Sequence, residues 1–157
     1  MDLITLEAQS ERAVIVPAAG CQCLSYSVGA LDIIAGPPNP DSWRAHPHRG
    51  GIPILFPWPG RIAGARFNFK GREYLLPTNE PARGHAIHGF ACERPFRVSR
   101  QGPYYVTAIL DSSEHPDLAS IWPYSVARVQ NPLPVLKYRE VQAWSSVSTL
   151  LSGLLST

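Results

Sequence analysis

Apolar and polar positions alternate with a period near two along the first part of the chain. Leu3–Ala8 reads LITLEA, Ala13–Val16 is a compact apolar cluster, and Gln22–Val28 and Leu31–Ala35 follow, separated at Gly29. Pro17–Gly20 is a turn between the second and third of these segments. No 3.6-residue period runs through the region. Short alternating segments bounded by glycine and proline read as half-buried strands. Strands of this length, with turn signals every eight to twelve residues or so, predict an all-β fold, an antiparallel β-sandwich or barrel.

The same reading continues beyond the middle of the chain. Ala65–Phe69 and Glu73–Leu76 are strand-like pieces around a Lys70-Gly71 turn, and Phe96–Arg100 and Tyr104–Asp111 flank Gly102-Pro103. Ser112–Leu118 reads as a polar loop, and Ile121–Tyr124 opens another apolar segment. From Ser125 the composition shifts: the remaining residues hold one acid, Glu140, and end in SSVSTLLSGLLST. Val141, Trp144, Val147, Leu150, Leu151 and Leu154 fall near helical spacing, so an amphipathic C-terminal helix is expected there, weakened by Gly153 and the serines.

A length of 157 residues suits one domain, and the 45% hydrophobic content can fill a core. The net charge of +2 gives no electrostatic case for nucleic acid or for an anionic membrane as partner. Met1–Gly20 carries Asp2, Glu7 and Glu11 without a long apolar run, unlike a signal peptide, and no stretch approaches the roughly 20 apolar residues of a membrane span. The three cysteines, 21, 23 and 92, read as reduced thiols, which predicts a cytoplasmic protein. A metal site at Cys21 and Cys23 would need a second ligand pair, and the spacing offers none. His46 and His48 share an i, i+2 spacing, but Pro47 between them breaks a regular strand, so they read as exposed loop histidines. Arg49 reads as a surface arginine, with an anion contact as the alternative.

Candidate chemistry concentrates between Arg49 and Gly89, about one quarter of the chain. Pro53, Pro57 and Pro59 fix φ and remove backbone donors, so no helix passes through and a central strand is disfavoured. What remains is a stiff loop carrying Phe56, Trp58 and Arg61, then two short strands, then His85-Ala-Ile-His88-Gly89. Rigid loops mounted on strands commonly carry binding groups. Glu114, His115 and Asp117 form an acid–His–acid cluster that reads as a solvated loop tip.

Gly51–Ile62 (GIPILFPWPGRI), Phe67–Asn79 and Ala86–Phe90 (AIHGF) arrive in an order that resembles the aldose 1-epimerase (galactose mutarotase) family. The resemblance runs over about the first 125 residues. It implies the N-terminal part of a galactose mutarotase-like supersandwich at 1–124, with 125–157 as a divergent tail whose origin is a truncation or frameshift. It also implies interconversion of the α and β anomers of a hexose, with a monosaccharide as partner and no cofactor or metal. Such a reaction needs one group to protonate the ring oxygen and another to take the proton of the C1 hydroxyl. By resemblance Arg61 and His88 contact the sugar, Asn79 stands at a common family asparagine, and Gly60 replaces the asparagine that normally precedes the arginine.

The general-acid histidine and general-base glutamate of the family lie in later segments, and neither His115 nor Glu140 stands in a matching context. The catalytic residues are therefore unassigned, and impaired activity is expected of this chain alone. Arg49–Pro53 and His88–Phe90 also resemble hexose-6-phosphate 1-epimerases, and a non-catalytic carbohydrate-binding module is a third reading. Part of a sandwich leaves sheet edges uncovered, which predicts self-association.

Overall fold

The computed structural model describes residues 3–36, 50–122 and 127–132. His46, His48, Arg49, Tyr124 and the helix expected in the C-terminal tail lie outside these. Strands β1 (Ile4–Ala8), β2 (Glu11–Val16), β3 (Gln22–Val28) and β4 (Leu31–Ile34) form an antiparallel meander in chain order. Its register sets Ile4 against Ile15 and Leu6 against Ala13, so apolar residues share one face while Thr5 and Glu7 point to water. An irregularity in the β2–β3 pairing admits Leu24 as an extra residue. Leu24 joins Val16, with Val14 and Ala19, in a small second cluster.

Four short strands bridge the middle of the chain. β5 (Arg61–Ile62) pairs with β8 (Ala86–Ile87), and β6 (Arg66–Phe69) pairs with β7 (Arg72–Leu75). Lys70 and Gly71, with φ of 49° and 74°, close the β6–β7 hairpin. Positive φ at both central residues is what a two-residue type I′ turn demands. A three-stranded sheet holds β9 (Arg97–Gly102), β10 (Tyr105–Leu110) and β11 (Ala127–Pro132), with β10 in the centre.

The main core joins the two larger sheets. Ile4, Leu6, Ala13, Ile15 and Tyr26 from the meander pack in one cluster with Val106, Ala108 and Leu110 of β10, and Cys21, Ala91 and Phe96 complete it. Each fully buried Leu, Ile or Val contributes about 1.5–3 kcal/mol over its exposed state. The Glu7 N–H donates to Pro103 O at 2.8 Å, tying β1 to the β9–β10 turn. The fold is thus all-β, built of antiparallel sheets packed as a sandwich. Among the described residues, the exposed apolar side chains include Leu31 and Ile33 on β4, whose sheet neighbour there is β3.

Two segments depart from the sequence reading. Ser112–Leu118 is not simply a loop: a 3-10 turn at Ser112–Glu114 leads into helix α1 (Pro116–Ile121), with a proline at its start. Six residues are too few to display a helical period, whereas proline is well suited to the first turn, where its missing N–H has no partner to lose. The backbone of β11 pairs with β10 from Leu110↔Ala127 to Tyr105↔Pro132, so regular sheet continues past the point where the sequence changes character.

Candidate functional site

The candidate site is built around Ile87-His88. β8 is anchored by Ala86, which is fully buried among Ala65 and Leu76. Arg61 lies opposite Ile87, and Ile62 opposite Ala86. One residue on, His88 turns out of the ladder with φ +63°, and its N–H donates to Gly60 O at 3.0 Å. The imidazole Nδ1 lies 2.7 Å from Pro59 O. A carbonyl only accepts, so Nδ1 carries the proton and the lone pair of the neutral ring falls on Nε2.

Gly89 follows with φ +68°, and a Cβ built there would stand 1.9 Å from Phe56 O. That oxygen accepts from both Phe90 N–H (2.9 Å) and Ala91 N–H (3.2 Å). Close backbone approach at a left-handed residue explains why glycine follows the histidine. The Phe56–Pro57 peptide is cis.

Arg61 makes a two-pronged ion pair with Glu80: Nε–H donates to Oε2 at 2.7 Å and Nη2–H to Oε1 at 2.8 Å. The Arg61 side chain is 47% exposed and that of Glu80 only 20%, so the carboxylate is the more enclosed partner. Arg83 adds a longer contact to Oε1 at 3.4 Å. The Arg61 hydrogen bond holds the Glu80 carboxyl below the usual range; partial burial opposes this, and the charges of Arg61, Arg83 and His85 reinforce it. Glu80 in turn raises the Arg61 guanidinium above its ordinary value, again chiefly through the hydrogen bond.

Asn79 is a backbone mimic. Its Nδ2 donates to Ile87 O at 2.9 Å and its Oδ1 accepts from Ile87 N–H at 2.7 Å. One N–H of the amide is left for another acceptor. Gly60 is exposed, and a Cβ there would meet no atom within 4 Å. The four residues singled out in the sequence therefore converge: Arg61 and Asn79 on Ile87, Gly60 on His88.

Glu80 was not singled out, and His85 and Pro59, though named in the sequence, were given no part in the site. His85 pairs with Glu80 across a short bridge and its Nδ1 accepts from Gly64 N–H at 3.3 Å. The Pro59 carbonyl fixes the His88 tautomer. Nothing in a linear sequence couples positions 61 and 80; the Glu80-Pro-Ala-Arg83 spacing was the one available hint of a local ion pair.

The aromatic residues of the proline-rich loop pack inward. Trp58 meets Phe90 edge-on at 6.0 Å and Trp122 at 6.0 Å, and Phe67 links Trp122 to a stacked Tyr74. Trp58, Ile62 and Phe67 cover the Ala65–Leu76–Ala86 cluster, so these rings support the ribbons that carry Arg61 and His88. Glu114 faces Arg97 at 3.3 Å and Asp117 pairs with Arg94, so both acids of the acid–His–acid cluster are ion-paired. Burial pushes the Cys21 thiol up to about 12, with the nearby Cys23 adding to it, and burial likewise pushes Cys23 and Cys92 up to about 11. Among the described residues, no three His, Cys, Asp or Glu side chains converge as a metal site, and no helix is long and apolar enough to cross a membrane.

Antiparallel sheets packed as a sandwich, with His88 one residue beyond the strand partner of Arg61, agree with the galactose mutarotase-like fold. The chain belongs to the aldose 1-epimerase family, whose model matches residues 2–130. A galactose mutarotase-like protein from Clostridium acetobutylicum is similar over 82% of this chain and 40% of its own, with a TM-score of 0.73 and 21% identity. Galactose 1-epimerase from Lactobacillus acidophilus matches 82% of this chain and 39% of its own, with a TM-score of 0.58 and 18% identity. Identities this low speak for the fold alone. The uncharacterized protein YihR of Escherichia coli is 44% identical over 46 residues, 29% of this chain and 15% of YihR. The chain thus spans less than half the length of these relatives.

Proposed function

We propose that this chain holds the ring of a free hexose between Arg61 and His88, as the sugar-gripping front part of an aldose 1-epimerase site. The observation that carries this reading is the β5–β8 register. It sets Arg61 opposite Ile87, so that His88, the next residue, lies beside the chain leading into Arg61. Arg61 supplies N–H donors. In this reading His88, with Nδ1–H donated to Pro59 O, turns its Nε2 edge to a sugar hydroxyl as an acceptor. A sugar hydroxyl both donates and accepts, so this pair suits it.

The charge of Arg61 is matched by the Glu80 carboxylate, which favours an uncharged sugar over a hexose 6-phosphate. Family resemblance supports the reaction class, anomer interconversion through ring opening. That chemistry also requires a proton donor at the ring oxygen and a base at the C1 hydroxyl. His115 leads directly into α1, beside the ion-paired Glu114 and Asp117, and is not assigned to this work. We therefore expect the chain alone to bind sugar with little catalysis.

Titration of the ¹⁵N-labelled chain with galactose, glucose and glucose 6-phosphate tests the binding. Shifts confined to residues near Arg61 and His88, with the neutral sugars preferred, are expected. No shifts with any sugar would defeat the reading. Polarimetry of fresh α-glucose or α-galactose tests the second half: an anomerisation rate well above buffer would show that proton-transfer groups are present after all.

A further inference from the structure

We propose that Glu80 is a positioning residue that turns Arg61 so that the outer edge of its guanidinium meets two neighbouring hydroxyls of the sugar ring. This rests on the sugar-site reading above and adds to it the orientation of the contact and the hydroxyl pattern selected.

A guanidinium carries five N–H donors in a rigid plane. Glu80 takes Nε–H and one N–H of Nη2, at 2.7 and 2.8 Å. The side edge of the fork is then committed. Three donors remain, two on Nη1 and one on Nη2, and the parallel pair among them lies on the outer edge. Such an edge matches two acceptors held side by side, as it does the oxygens of a carboxylate. On a neutral pyranose the equivalent is a vicinal pair of hydroxyls.

The direction of control follows from which partner is fixed. Glu80 is the more enclosed side chain. Its backbone is held by three further bonds: Glu80 N–H to His85 O (3.1 Å), His85 N–H to Glu80 O (3.3 Å) and Arg83 N–H to Glu80 O (3.1 Å). Asn79, the preceding residue, is bonded twice to Ile87. The carboxylate is therefore mounted on the same ribbon that carries His88. Among the described residues, Arg61, on a two-residue strand with an exposed side chain, has no comparable anchor for its far end other than Glu80 itself.

The test uses the ¹⁵N-labelled full chain, Glu80→Gln, and Arg61→Lys, which keeps the charge and removes the fork. The first readout needs no ligand. The Arg61 Nε–H signal is expected to be protected from exchange with water in the parent and to exchange at least tenfold faster in E80Q. The second readout compares hexoses with deoxy sugars lacking one hydroxyl of a vicinal pair. In the parent, each relevant deoxy sugar is expected to bind roughly tenfold more weakly, as for loss of a hydrogen bond to a charged group. In E80Q and R61K that discrimination is expected to shrink to about twofold or less, while the amide spectra keep the parent's dispersion. An Arg61 signal unchanged in E80Q overturns the proposal whatever the sugars do. Equal weakening of hexose and deoxy sugar in E80Q also overturns it, because the role is then merely structural. No sugar shifts in the parent, with the Arg61 protection intact, would sink the sugar-site reading and with it the hydroxyl-pair assignment; the intact protection marks that failure as distinct from a failure of the clamp.

Discussion

The α-carbon of Gly89 is set so closely against the carbonyl of Phe56 that any Cβ would fall 1.9 Å from the oxygen. Gly89→Ala is expected to combine that clash with the cost of a left-handed residue, and to lower unfolding free energy by about 2–4 kcal/mol. Gly84→Ala is the control. It has φ +67° but nothing within 4 Å of its Cβ position, so it should cost only about 1 kcal/mol. Urea denaturation of both variants checks this, and equal losses would remove the close-approach argument.

Asn79 takes the place of a missing strand beside Ile87. Asn79→Ala deletes one donor and one acceptor at an exposed position where water can substitute in part. A loss of roughly 1–2 kcal/mol is expected. Faster amide exchange should appear at Ile87, whose N–H now donates to Asn79 Oδ1. Exchange at Ile87 no faster than in the parent would contradict the assignment.

Gly60 stands where the resembled family has an asparagine, and its surroundings are open. Gly60→Asn should fold as well as the parent and bind a neutral hexose about two- to tenfold more tightly, the equivalent of one added hydrogen bond. The dissociation constant from sugar titration is the measurement. An affinity unchanged or reduced would place position 60 outside the sugar contact.

The three thiols set an alkaline limit. Their folded values, about 12 for Cys21 and about 11 for Cys23 and Cys92, lie above that of a free thiol, about 8.5. A raised value means the unfolded chain ionises first. The contribution to stability is therefore complete below about pH 8.5 and declines as pH climbs towards 11–12. Thermal midpoints should fall across that window, and replacing Cys21 by Ala or Val should flatten the fall. A thiol reagent at pH 8 is expected to label the folded chain slowly and the urea-unfolded chain at once.

The alternation of Ile4, Leu6, Ala13, Ile15 and Tyr26 exposed the first sheet directly, because each strand buries one face and a period of two follows. The Lys70-Gly71 turn was equally legible, since its backbone needs are written in its residues. Helix α1 was hidden by its brevity. β11 was hidden for another reason: ARVQNP has no clear alternation, and its extended form is imposed by β10, whose backbone it pairs over six positions. At the site, the resemblance pointed to Arg61 and His88 but not to Glu80, the carboxylate that pairs with the arginine. A contact across nineteen residues depends on how the β5–β8 and Glu80–His85 pairings fold back on each other.

His88 occupies a left-handed backbone position that costs an ordinary side chain roughly 1–2 kcal/mol. Glycine would sit there more comfortably. A search for thermostabilising changes guided by backbone geometry alone would thus nominate His88→Gly, and accepting the nomination would erase the imidazole together with its hydrogen bond to Pro59 O. At this position backbone comfort and the proposed sugar contact pull in opposite directions, and the chain carries the less comfortable residue.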